Sequence, residues 1–156
     1  MDDRKMKDHA NDVVIYYSDR GQVKAVIHAA EMFRNEAASP SYTDIRKGLK
    51  VEFMNDSLEV ESTLTARSAK IFEGEGNVIV RDSVVVVNKK GERLETQELV
   101  WNQRLDKFYT TKNVVIRTPP EQVMNGTGLE ANADFTWYKI TKLRGNITVQ
   151  NEEIPQ

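Results

Sequence analysis

Apolar and polar residues alternate along most of this chain in short stretches, each closed by glycine, asparagine, aspartate or proline. An apolar residue at every second position marks a β-strand with one buried face. In the segment from Gln22 to Ala29, Val23, Ala25, Ile27 and Ala29 hold one parity, while Lys24 and His28 hold the other. Before it, Val13 to Ser18 is a run of β-formers ended by Asp19-Arg20-Gly21, whose glycine suits a hairpin turn. Leu49, Val51 and Phe53 alternate with Lys50 and Glu52, and Asn55-Asp56 turns the chain into Leu58, Val60, Leu64 and Ala66. Ile71-Phe72 leads through Gly74-Glu75-Gly76 to strands over 77–81 and 84–88, and Lys89-Lys90-Gly91 turns those into the strand over 92–101. Segments 107–111, 113–118, 123–131, 135–140 and 146–149 complete the series, with Pro119-Pro120 as an interruption. Residues 29–38 alone compete as helix, being rich in Ala, Glu, Met and Arg, and are read as strand followed by loop. The total is about a dozen strands with no crossover helix, which predicts an all-β fold with mostly antiparallel pairing. Sandwich, jelly roll and flattened solenoid all satisfy that pattern.

The alternation is itself repeated. Asp19, Val23, Ile27 and Ala29 return 37 positions on as Asp56, Val60, Leu64 and Ala66, and 77–80 (Asn-Val-Ile-Val) returns as 113–116 (Asn-Val-Val-Ile). Asn146-Ile147-Thr148-Val149 is a weaker copy, and Leu94-Glu95 returns as Leu129-Glu130. A period of about 35 residues in a strand-rich chain implies one supersecondary unit stacked on copies of itself, since a lone hairpin buries too little apolar surface to be stable.

Composition narrows what such a sheet does. The 156 residues suit one domain, placed at 13–150, with 1–12 read as a flexible leader or the start of an expressed fragment and 151–156 as a C-terminal tail. The 22 basic and 24 acidic residues are evenly spread, which leaves no electrostatic footprint for nucleic acid. There is no cysteine, so disulfides and thiol chemistry are excluded. The longest apolar runs, such as Val84-Val85-Val86-Val87, fall far short of the roughly 20 residues that span a bilayer.

Catalytic patterns are weak. The two histidines, His9 and His28, are read as surface residues, and no cofactor is expected. Glu92, Glu95 and Glu98 resemble a glycosidase carboxylate set only superficially, because a three-residue step puts Glu95 on the other strand face. Gly126-Thr127-Gly128 precedes a strand rather than a helix and is read as a bulge or a close packing point. Trp101, Tyr109, Phe135, Trp137 and Tyr138 would suit a sugar platform or a core, and core is the commoner role for strand aromatics. An enzyme is therefore not expected.

Two uses of the sheet itself remain. Its terminal strands expose unpaired backbone groups, and Val14, Ile15, Tyr16 at one end and Ile147, Thr148, Val149 at the other are the candidate edges. Such edges permit self-association as readily as partner binding. Its interior, if the layers splay, forms an apolar groove in which a 12-carbon chain gains on the order of 9 kcal/mol gross at ~0.8 kcal/mol per methylene. A fully packed core is the alternative.

The segments 90–101 (KGERLETQELVW), 107–110 (KFYT) and 126–135 (GTGLEANADF) resemble the LptC family of lipopolysaccharide export proteins. Ile15-Tyr16-Tyr17-Ser18-Asp19 and Arg144-Gly145-Asn146-Ile147 are similar to it as well, so the likeness runs in order over about 13–149. It implies a twisted, open β-jelly roll of two mostly antiparallel sheets, located in the periplasm and held at the inner membrane by an anchor that this chain does not contain. By the same resemblance, lipopolysaccharide comes from the permease subunits of an ABC exporter, lodges between the sheets, and passes to the periplasmic bridge protein. The permeases would meet Val14, Ile15 and Tyr16, and the bridge Ile147, Thr148 and Val149. Gly128 matches a glycine typical of the family. Val78, Val80, Val85, Leu94, Phe108, Ile116, Leu129 and Phe135 are the expected groove lining. The soluble bridge protein of the same pathway and a carbohydrate-binding or adhesive β-sandwich, in which Trp137 and Tyr138 read sugars, are the competing readings.

Overall fold

The computed structural model describes residues 8–148. They form ten strands: β1 Asp8–Asp19, β2 Gln22–Asn35, β3 Tyr42–Met54, β4 Val60–Ala66, β5 Ser68–Phe72, β6 Asn77–Asn88, β7 Arg93–Asn102, β8 Lys107–Thr118, β9 Gln122–Asn132 and β10 Tyr138–Thr148. All belong to one antiparallel sheet ordered β1-β2-β3-β4-β6-β7-β8-β9-β10, with β5 continuing β4 between β3 and β6. The fold is all-β and consistent with a jelly roll.

The strands are fewer and longer than the polar interruptions suggest. The segments 77–81 and 84–88 are one strand, β6, that keeps pairing with β7 on both sides of Asp82-Ser83. Both residues adopt positive φ, 72° and 55°, so the break in alternation is a bulge and not a turn. Likewise 107–111 and 113–118 merge into β8, which shifts register between Thr110 and Asn113. β10 begins at Tyr138, leaving Phe135 in the preceding turn at φ 56°. Residues 29–35 are strand, the last half of β2.

These irregularities line up from strand to strand. Asp12 at φ 54° interrupts β1, the β2–β3 register shifts at Ala29/Glu31, and Lys47 and Gly48 in β3 take φ 68° and 112°. Gly48 N–H then donates to Arg67 O at 2.9 Å, and Arg67 N–H to Asp82 O at 3.0 Å. The line continues through the shifts at Thr96/Val100 and Thr110/Asn113 to Gly128, at φ 83°. It forms a crease across every long strand, and the sheet folds along it. Phe53, on the turn side of the crease in β3, packs edge-to-face on Trp101 (4.9 Å between centroids) and Phe108 (5.2 Å), both on the other side. The two layers are therefore halves of one continuous sheet.

A two-strand unit with a crease in each strand accounts for the period. The copies at 19–29 and 56–66 are matching hairpins, β1–β2 and β3–β4. Leu94 and Leu129 are not equivalent, since they lie on opposite sides of the crease.

Candidate functional site

Between the layers, alternate residues of each strand meet in one core that includes Ile27, Ile45, Val51, Phe53, Leu64, Val86, Leu99 and Trp101. Val78, Val80, Leu94, Phe108, Ile116, Leu129 and Phe135 lie in this same cluster, each almost fully buried. Fully burying one such side chain is worth roughly 1.5–3 kcal/mol, so the interior is held shut by its own residues. Val85 is placed differently. Val84 and Val86 take the inward parity, and Val85 stands on the outer face opposite Thr65 and Glu95.

The bulges decide which residues face inward. In β7, Leu94 and Thr96 point in before the crease and Leu99 and Trp101 after it, so the parity flips. Glu95 and Glu98 consequently share the outer face, contrary to simple alternation. Glu95 meets Arg93 (2.7 Å) and Arg117 (3.4 Å), and Glu98 meets Arg81 (3.0 Å). The Arg93 hydrogen bond, helped by the nearby Arg117, holds the Glu95 carboxyl below the usual glutamate range. These are ion pairs on a solvated face.

The mouth of the interlayer space, opposite the crease, is closed by turns. Ser62 Oγ–H donates to Ala133 O (3.2 Å) and Asn88 Nδ2–H to Phe135 O (2.7 Å), tying strands of one layer to the β9–β10 turn of the other. Beside these ties lies a hollow of about 220 Å³ lined by Lys24, Phe53, Met54, Asn55, Asp56, Asp106, Ala133 and Asp134. Partial burial, and then the neighbouring Asp134, push the Asp106 carboxyl above its ordinary value, with Asp19 adding to the effect and Lys24 opposing it.

At the two ends of the sheet, the outer edges of β1 and β10 have no strand partner among the described residues. Val14, Ile15 and Tyr16 pair with His28, Ile27 and Val26 of β2. Ile15 turns inward against the core, while Val14 and Tyr16 are 47% and 65% exposed. Ile147 and Thr148 pair with Val123 and Gln122 of β9, and Val149 lies outside the described residues. The edges differ in charge. β1 carries Asp8, Asp12 and Asp19 with no Lys or Arg, and β10 carries Lys139, Lys142 and Arg144 with no acid. The lysines of β10 escape a reading that stops at 146–149.

β10 approaches β9 closely because two glycines permit it. A Cβ on Gly128 would lie 2.8 Å from Thr141 Cβ, at a φ that side chains rarely adopt, and one on Gly126 would collide with Ile140 Cγ2 and sit 2.9 Å from Lys142 O. The aromatics divide by place. Trp101 and Phe135 are buried, Tyr138 is partly buried against Phe135, and Trp137 and Tyr109 are exposed at different positions. They form no shared platform.

The family model for lipopolysaccharide assembly, LptC-related, matches residues 11–152, nearly the whole chain. The chain belongs to the LptC-related family. Membership gives this LptC-related protein a role in lipopolysaccharide transport and places it with the proteins of periplasmic envelope biogenesis. No curated protein matches it. Among the described residues no helix is long and apolar enough to cross a membrane. Ala25, Ile27, Ala29, Leu49, Val51, Phe53, Leu64 and Ala66 are buried on the parity that alternation predicts, whereas Leu58 and Val60, on the parity of Leu64, are exposed beside the turn and Val23 is only partly buried. Leu99 as a core position and the shared face of Glu95 and Glu98 are not legible in the sequence, because no glycine or proline marks the β7 bulge.

Proposed function

We propose that this LptC-related protein is a non-catalytic lipopolysaccharide relay, located in the periplasm at the inner membrane. It receives lipopolysaccharide from the permease subunits of the ABC exporter through the β1 edge and passes it to the periplasmic bridge protein through the β10 edge. The observation that carries the reading is one continuous sheet whose terminal strands, at opposite ends, have open outer edges among the described residues, with an apolar interior running between them. Strand addition at each end lengthens the sheet and brings neighbouring interiors into line. Acyl chains then lie among Val78, Val80, Leu94, Phe108, Ile116, Leu129 and Phe135 after the layers part at the mouth. Separation exposes apolar side chains, and the incoming chains cover them again, so no chemical step is required.

The test is photocrosslinking in the assembled exporter, with probes at Val14 and Tyr16 on one edge and at Ile147 and Thr148 on the other. Probes on β1 should capture permease subunits and those on β10 the bridge protein. Capture of the same partner from both edges, or of neither from any probe, would contradict the assignment.

A further inference from the structure

Trp101 holds the one buried side-chain nitrogen or oxygen without a hydrogen-bond partner among the described residues. Its indole is 1% exposed, on the inward face of β7 near the end that leads into the β7–β8 turn, away from the crease. Around it stand the rings of Phe53, at 4.9 Å between centroids, and Tyr17, at 5.8 Å, both nearly perpendicular to it. The Tyr17 hydroxyl is committed elsewhere, donating to Gln103 O at 3.2 Å. An aromatic face is a weak acceptor, so the Nε1–H remains short of an oxygen. Folded proteins pair nearly all such groups, because a buried donor without a partner forfeits its hydration and regains nothing. Elsewhere in the core the buried hydroxyls of Thr96 and Ser62 are satisfied, each donating to a backbone carbonyl, of Asn113 and Ala133.

Phe53 connects this orphan donor to the outside. Its ring packs on Trp101, and the same residue lines the hollow at the mouth, together with Asp106 and Ala133. A chain entering there and displacing Phe53 meets the indole next. A bare hydrocarbon would leave the N–H as unsatisfied as before, whereas a carbonyl at the head of an acyl chain would complete it. We infer that Trp101 Nε1–H is a ligand-binding donor for the carbonyl oxygen of an ester- or amide-linked long acyl chain, and so distinguishes acyl chains from plain alkyl ones. This rests on the proposed lipid-carrying interior and adds to it a residue that recognises polarity inside an apolar site.

The experiment replaces Trp101 by its benzothienyl analogue, which exchanges N–H for sulfur at nearly constant shape, and uses Trp101→Phe as a genetically simple second variant. Binding is measured by equilibrium dialysis of labelled lipopolysaccharide against the full chain. The Nε1–H proton resonance is assigned by its loss in Trp101→Phe, and Trp137 serves as internal control. The expected results are a downfield shift of the Trp101 resonance on saturation, binding about five- to tenfold weaker in the analogue, and a ligand-free Tm equal to or above that of the parent. An acyl lysophospholipid should reproduce the shift, and its ether-linked counterpart, which lacks only the carbonyl, should not. Normal lipopolysaccharide binding by the analogue, with an unmoved Trp101 resonance in the parent, would overturn the inference and leave the relay standing. Failure of the parent to bind lipopolysaccharide at all would overturn both.

Discussion

The two ends of this sheet have the same backbone problem and different side-chain solutions. Each terminal strand leaves one row of N–H and C=O groups open among the described residues. At the β1 end the seam with β2 is secured by side chains, with Val13, Ile15 and Tyr17 turned in against the core and Tyr17 fixed to Gln103 O across the layers. At the β10 end Tyr138 and Ile140 pack on the core and Arg144 Nη1–H donates to Asn113 Oδ1 (3.0 Å) and Thr127 Oγ1 (3.3 Å), but the seam with β9 also depends on two missing side chains, because Gly126 and Gly128 let Ile140, Thr141 and Lys142 come close. One edge is acidic and the other basic. The difference teaches that open edges are not interchangeable: charge as well as backbone pairing sets what can join each one, and a basic edge discourages a second basic one.

The comparison breaks first at the glycine seam. Gly126→Val should cost about 3 kcal/mol, since its branched side chain drives into Ile140 and the Lys142 carbonyl and pushes β10 off β9. Hydrogen exchange should show the loss concentrated in β10, with β1 amides still protected. Next comes the packed seam. Tyr17→Ala removes a ring from the Trp101 and Phe53 cluster along with its hydroxyl bond, and should cost about 2 kcal/mol by chemical denaturation. There the loss of protection should fall on β1 and spare β10.

The smallest effect lies between the two ends. Asp106 feels Asp134 from the β10 side more strongly than Asp19 from the β1 side, and burial most of all. Its folded-state affinity for a proton exceeds that of the unfolded chain, whose ordinary value is 3.8. The folded state is therefore favoured by protonation, and the contribution of Asp106 to stability falls as pH rises from about that value through the raised one. Asp106→Asn keeps the shape and tolerates the φ of 57°, so it should raise Tm slightly at neutral pH and leave it nearly unchanged at pH 3. Thermal melts at the two pH values check the sign.

Much of this arrangement was legible in the sequence where alternation ran unbroken. Ala25, Ile27 and Ala29, then Leu49, Val51 and Phe53, are buried on the parity their spacing predicts. The hairpins at Asp19-Arg20-Gly21 and Lys89-Lys90-Gly91 follow from their turn residues. The crease shows in the sequence only at its β9 end, where Gly126-Thr127-Gly128 reads as a bulge or close packing point; elsewhere Asp12, Lys47, Asp82 and Ser83 adopt positive φ without being glycine, with paired strand before and after them. Hence β6 and β8 read as two strands each, and Val85 escapes for a different reason: the run Val84-Val85-Val86-Val87 is apolar at every position and so carries no parity signal. The family resemblance, and not the periodicity, named the cargo.

The interior is the central claim, and neighbouring residues of β8 test it most directly. Phe108 points between the layers, and Tyr109 points to solvent. A photoreactive side chain at each position, in the working exporter, should crosslink lipopolysaccharide from position 108 and little or none from 109. Equal capture at both positions, or capture from 109 alone, would show that lipopolysaccharide travels over the outer face and would contradict the account.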